Sequence, residues 1–154
     1  ITYGAVPMRA TDHGNNDDLF ELDRLYPNRF LGLPQIDPLD SKKAIEDIEK
    51  YVVQGPCRGI YIEHASIFNK EHWYVNDERA YPVYEKCQEL EIPILFTYGG
   101  QLVKSFKYYD PVYIEDLAEI FPKLNMILGH GGWPYVTEVC QHNIKMYILS
   151  RIYI

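Results

Sequence analysis

The stretch Ile127-Leu128-Gly129-His130-Gly131-Gly132-Trp133-Pro134 runs from apolar residues straight into a histidine set among glycines. An imidazole titrates near neutral pH, so a strand that delivers one to the rim of a sheet supplies acid–base chemistry. The glycines let the chain turn sharply and leave room for a ligand. Pro134 suits the first turn of a following helix. α/β enzymes place their chemistry at the carboxyl ends of their strands, which is where His130 would stand. The plainer alternative is a helix-capping imidazole held by backbone.

Other strand ends would bring further groups to the same rim: Pro7 or Met8, Asp37, Glu63 with His64, Thr97 with Tyr98, and Ser150. Glu63, His64 and His130 are the candidate proton-moving residues, with Thr97, Tyr98 and Trp133 as candidate substrate contacts. Each has a structural alternative. Asp37-Pro38 reads best as a turn, and Thr97 can simply bond backbone. Glu63 and His64 are adjacent, so in an extended segment they point to opposite faces and only one can serve the site. His13, His72 and His142 fall in loops or at a helix end and read as surface residues. Trp73, Tyr74, Tyr108 and Tyr109 either line a pocket or pack a long loop onto the body. No Gly-x-Ser-x-Gly elbow occurs and no cysteine ends a strand, so covalent catalysis is not indicated.

The elements that must hold these residues follow from periodicity. Residues 15–26 carry Leu19, Leu22 and Tyr26 on one helical face before Pro27. Residues 42–53 form an amphipathic helix with Ile45, Ile48 and Val52 inward, capped by Asp40 or Ser41 and ended by Gly55-Pro56. Val83, Cys87 and Leu90 mark a third helix, and Asp110-Pro111 opens a fourth with Ile114, Leu117 and Phe121 inward. A short helix over 133–141 follows His130. Between them lie strand candidates at 1–6, 30–36, 59–62, 93–96, 125–129 and 144–149. Strand and helix alternate without hairpin signals, which predicts a parallel α/β sheet. Most units recur at roughly 30 residues, the spacing of a (β/α)8 TIM-type barrel. About six of its eight strands fit, so residues 1–154 read as a single barrel domain that is part of a longer barrel. An open doubly wound sheet is the alternative, although no phosphate-binding glycine fingerprint follows any strand.

With 154 residues and a hydrophobic fraction of 47%, the chain can bury one sizeable core. Its net charge of −7 argues against a nucleic-acid partner, which needs clustered Lys and Arg. No apolar run is long enough to span a membrane. Cys57, Cys87 and Cys140 are odd in number and scattered, which fits no disulfide framework and points to a reducing, cytoplasmic compartment. The expected partner is a small-molecule substrate, with a homo-oligomer left open.

Three stretches in order resemble the amidohydrolase-2 branch of the metal-dependent amidohydrolase superfamily, the group of the aminocarboxymuconate-semialdehyde and resorcylate decarboxylases. They are Leu25-Tyr26-Pro27-Asn28-Arg29-Phe30-Leu31-Gly32 with Ile36-Asp37-Pro38; Tyr81-Pro82-Val83-Tyr84-Glu85-Lys86-Cys87 leading to Ile92-Pro93-Ile94-Leu95-Phe96; and Phe121-Pro122-Lys123-Leu124 leading to Gly129-His130-Gly131-Gly132-Trp133-Pro134. The resemblance implies a (β/α)8 barrel with a divalent metal, zinc or manganese, near the strand ends. It implies a metal-dependent hydrolase or non-oxidative decarboxylase acting on a small carboxylated or cyclic substrate. His130 matches the family's proton-moving histidine, whereas Thr97 stands where the family carries a metal-binding histidine. No His-x-His pair occurs in this sequence. The second reading is therefore a catalytically silent barrel that has lost its metal and binds a ligand or partner.

Overall fold

Alternate residues of the central strands find two different cores, and this division decides which side chains reach the site. The computed structural model describes residues 3–6, 14–99, 104–141 and 146–148. Among them the strands are β1 (Tyr3–Ala5), β2 (Phe30–Gly32), β3 (Ile60–Ile62), β4 (Ile94–Phe96), β5 (Met126–Leu128) and β6 (Met146–Ile148). The helices are α1 (Asp18–Leu25), α2 (Ser41–Ile48), α3 (Tyr81–Glu89), α4 (Pro111–Ile120) and α5 (Val136–Gln141). A π-type turn over Glu49–Val53 carries α2 onward to its predicted end.

All pairings are parallel, β1 with β2 and then β3, β4, β5 and β6 in sequence order. The two ladders are joined by a bridge from Gln35 to Tyr61, where Ile36 N–H donates to Tyr61 C=O and Tyr61 N–H donates to Pro34 C=O, each at 2.9 Å. Proline removes ladder donors, which is why the 30–36 strand is interrupted after Gly32. Among the described residues the order does not reverse as it would in a doubly wound sheet.

Ile60 and Ile62, Ile94 and Phe96, and Met126 and Leu128 point one way into the large core shared with the helices. Tyr61, Leu95 and Ile127 point the other way and join Leu33 and Val6 in a smaller cluster. Both faces of the sheet are thus covered, as parallel strands require. Val83 and Cys87 of α3, and Ile114, Leu117 and Phe121 of α4, are buried as the spacing predicts. Each such aliphatic side chain contributes roughly 1.5–3 kcal/mol by leaving water. Tyr26 departs from prediction: it is 54% exposed and lies edge-on to Phe30 outside the core. The helix ends before it, so its side chain no longer follows the helical stripe.

Among the described residues, no helix is long and apolar enough to cross a membrane. Cys57 and Cys87 are buried and Cys140 is exposed; all are free thiols. Burial pushes the first two thiols up, to about 11 and about 12, so they act as core residues rather than nucleophiles.

Candidate functional site

His130 follows β5 directly and sits in the left-handed region, at φ 55° and ψ 15°. Gly131 and Gly132 continue at φ 62° and 73°, so the turn after the strand has three positive-φ residues in a row. A non-glycine residue in this region costs free energy and is held only where its surroundings demand it. The ring is partly buried, and burial lowers its pKa below the usual imidazole value. It is therefore neutral at pH 7 and able to accept a proton.

The loop after β4 meets this turn closely. Gly99 has φ +102°, and a Cβ there would lie 1.9 Å from the Trp133 carbonyl oxygen. Trp133 itself is 50% exposed and packs edge-on against Phe106 with centroids 5.2 Å apart, a rim position.

The period of two separates the adjacent candidates at the ends of β3 and β4. Tyr61 and Glu63 lie on the inner side with Thr97, whose Oγ1 donates to the Tyr61 hydroxyl at 2.6 Å. Burial first, then the charge of the Glu63 carboxylate, raises the Tyr61 phenol far above the usual range. The Asn69 side-chain amide donates to the Glu63 carbonyl oxygen at 2.5 Å and ties the following loop to the strand end.

His64 and Tyr98, expected at the site, go the other way, into the core. His64 is wholly buried within ring distance of Trp73, Tyr98 and Tyr109, and its Nε2 is 3.0 Å from the Tyr108 carbonyl oxygen. That contact makes Nε2 the donor and leaves Nδ1 as an acceptor without a partner among the described residues. Burial drives the His64 pKa down to about 4. Tyr98 is also wholly buried and its hydroxyl donates to the Asp110 carbonyl oxygen at 2.7 Å. Both are placed on the core face by their register along the strand.

Asp37 is exposed and its Oδ1 accepts from Leu39 N–H at 3.1 Å, the turn that its following proline suggests. His72 is partly buried, bonded to the Ser66 carbonyl oxygen at 3.1 Å and stacked on Tyr108, more enclosed than its surface reading. Tyr74, Tyr108 and Tyr113 pack together, while Trp73 alone of the four loop aromatics lines a cleft. Pro7, Met8, His13, His142 and Ser150 lie outside the described residues.

A cleft of about 650 Å³ opens between the β2 exit and the loop after β3, with Gln35, Asp37, Lys43, Glu63, Asn69 and Trp73 in its walls. Glu63 is thus the strand-end carboxylate that reaches open space. Tyr61 lies two residues before Glu63 and so shares its face of the sheet.

Among the described residues, no group of three or more His, Cys, Asp or Glu side chains stands close enough to hold a metal ion. Thr97 is a poor ligand beside imidazole, and its hydroxyl is already committed to Tyr61. The described residues do not by themselves fit a divalent metal.

A parallel sheet in sequence order, with a histidine and a carboxylate at its strand ends, makes this an α/β chain whose solved neighbours include a TIM-barrel protein. Its overall path resembles an uncharacterised TIM-barrel protein from Bordetella bronchiseptica, with a TM-score of 0.84 and 23% identity over 96% of this chain and 53% of that one. A family model for amidohydrolases matches residues 2–146, and the chain belongs to that amidohydrolase-2 family. It is similar as well to a 4-oxalomesaconate hydratase from Rhodopseudomonas palustris, with a TM-score of 0.64 and 22% identity over 88% of this chain and 48% of that one. A dihydroxybenzoic acid decarboxylase from a Polaromonas species, with bound manganese and the inhibitor 2-nitroresorcinol, matches at a TM-score of 0.59. Its identity is 23% over 76% of this chain and 42% of that one. The chain spans about half the length of these structures.

Proposed function

We propose that this chain supplies the proton-moving part of an amidohydrolase-type hydrolase or carboxy-lyase, acting on a small carboxylated or cyclic substrate. The observation that carries the reading is His130 itself, a neutral imidazole at a strand end on a left-handed backbone. A non-glycine residue held there costs free energy, which at a strand end is consistent with a side chain that must be aimed. In hydrolysis the imidazole would take the proton of the attacking water and return it to the leaving group. In decarboxylation the imidazole would first take up a proton from solvent and, as imidazolium, deliver it to the carbon that loses carbon dioxide. The decarboxylase relative supports the second chemistry and the hydratase relative supports use of water by this fold, and hydroxybenzoate-like acids are the substrates to try first.

Glu63 serves as the carboxylate of the site, Thr97 and Trp133 as its wall and rim, and His64 and Tyr98 support it from the core. The six strands belong to a barrel that further strands complete. A zinc or manganese ion in that barrel would need donors beyond the described residues.

The commitment of Thr97 to Tyr61 favours a second reading, a barrel that binds a ligand without turnover. One variant separates the two. His130→Asn keeps a residue that tolerates the left-handed backbone while removing the acid–base group. Turnover should fall about 10²–10⁴-fold with the thermal midpoint nearly unchanged. Full activity in the variant overturns the role of His130; ligand binding without turnover in the parent protein establishes the second reading.

A further inference from the structure

We propose that Phe106 and Trp133 form the ring-binding wall of the His130 site, and that the ligand taken there is an aromatic carboxylate. The inference rests on reading His130 as the proton-moving residue and adds Phe106, which no motif singles out. The two aromatics come from neighbouring strand exits, Phe106 after β4 and Trp133 after β5. Their rings meet edge to face, with centroids 5.2 Å apart and planes at 79°. Both stay exposed, at 37% and 50%. An edge-to-face pair of this kind leaves ring faces open to a third ring. The wall is also held in place. Trp133 N–H donates to the His130 carbonyl oxygen at 3.2 Å, and the Trp133 carbonyl lies against Gly99. The backbone that carries the indole is thereby tied to the backbone that carries the imidazole. Lys104 N–H donates to the Ala65 carbonyl oxygen at 3.2 Å. Residues 104–106 therefore reach from the exit of β3 to that of β5, past the end of the intervening β4.

Charge separates this rim from the cleft beside Glu63. Asp37, Asp40, Asp47 and Glu71 also line that cleft, and of its two lysines Lys43 is held by Asp47 at 2.8 Å. An anion is repelled there. Residues 104–109 and 129–135 contain no Asp or Glu and carry Lys104 and Lys107. Both lysines are exposed, and neither pairs with a carboxylate among the described residues. Lys107 lies over the Tyr108 ring at 4.8 Å. In a chain of net charge −7, an anion is drawn to this side of the mouth. An aromatic acid meets both conditions: its ring packs on the Phe106–Trp133 wall beside His130, and the lysines of the same segment match its charge. A saturated or acyclic acid satisfies only the second.

The test follows the indole N–H NMR signals of Trp73 and Trp133 in the full-length protein, assigned with Trp73→Phe and Trp133→Leu. The probes are benzoate and cyclohexanecarboxylate, which match in charge and nearly in size. Trp73 lines the acidic cleft and Trp133 the rim, so the signal that moves reports where the acid binds. Benzoate should move Trp133, leave Trp73 in place, and bind about three- to tenfold more tightly than the saturated acid. Phe106→Leu keeps apolar bulk without a ring and should bring that ratio close to one, whereas Phe106→Tyr should keep it. Replacing Lys104 and Lys107 together by Gln should weaken both acids alike, by about two- to fivefold at low salt. Movement of Trp73 instead of Trp133, equal affinity for the two acids, or no binding of either overturns the proposal. So does a ratio unchanged in Phe106→Leu or, if that variant does not fold, in Trp133→Leu. Undiminished affinity in the double lysine variant overturns it as well. Because binding is read without turnover, a parent protein that shows the preference and turns over nothing defeats the proposed enzyme reading alone.

Discussion

Burial lowers the pKa of both His64 and His130, which deepens the preference for the uncharged form that any imidazole has at pH 7. They differ in what neutrality does. For His130, partly open to solvent, it leaves a lone pair for a proton. For His64, sealed among aromatic rings, it is a condition of folding. The folded-state pKa of His64 is about 4 against an ordinary 6.5, so the unfolded chain binds the proton more readily between those values. Stability from this residue is fully present above about pH 6.5 and is lost as pH falls toward about 4, by roughly 3 kcal/mol. Urea unfolding of the parent and His64→Phe at pH 7 and pH 4.5 should show this. The variant should lose less stability on acidification than the parent, and parallel losses would remove His64 as an acid-sensitive core residue.

At the scale of elements, the site depends on how strand-exit loops cross. Gly99 brings the β4 exit against the carbonyl of Trp133 at a positive φ. Gly99→Ala adds both a backbone penalty and a clash, and should cost about 2–4 kcal/mol in urea unfolding. An alanine variant as stable as the parent would mean that the two loops are free to separate. Asp110 does two things at the start of α4. Its side chain accepts from Val112 N–H at 3.1 Å, and its carbonyl receives the Tyr98 hydroxyl. Asp110→Ala removes only the cap, so about 1 kcal/mol should be lost with Tyr98 still buried. Thermal unfolding together with tyrosine fluorescence would separate that outcome from loosening of the whole β4 exit.

At the scale of the whole molecule, β1 and β6 each pair on one side only among the described residues. Open parallel edges invite pairing with other chains. Leu25, Tyr26 and Leu31, at 52%, 54% and 44% exposure, add an apolar surface near one of those edges. A chain of these 154 residues alone should therefore associate, whereas a full-length barrel that supplies its remaining strands should not. Size-exclusion chromatography with light scattering distinguishes the two. A monomeric, cooperatively unfolding chain of these residues would show that the edges are protected in another way.

Much of this organisation was legible in the sequence, because it rests on local patterns. Apolar runs without hairpin signals specify parallel strands, and the stripes of Ile48 and Val52, of Val83 and Cys87, and of Ile114 and Leu117 specify helices that cover them. The family motifs, and the histidine after β5, are likewise visible in the chain alone. Adjacency showed that only one of Glu63 and His64 could face the site, but not which one. The register of β3 against β2 and β4 decides that, by setting Tyr61 opposite Gln35 and Leu95. The same register turns Thr97 inward and Tyr98 into the core. Burial then lowers the pKa of His64 and raises that of Tyr61, through desolvation that no single stretch of sequence contains. Residue types and periods are local properties of a chain; which face is inside, and what each side chain meets there, exists only once strands far apart in sequence have paired.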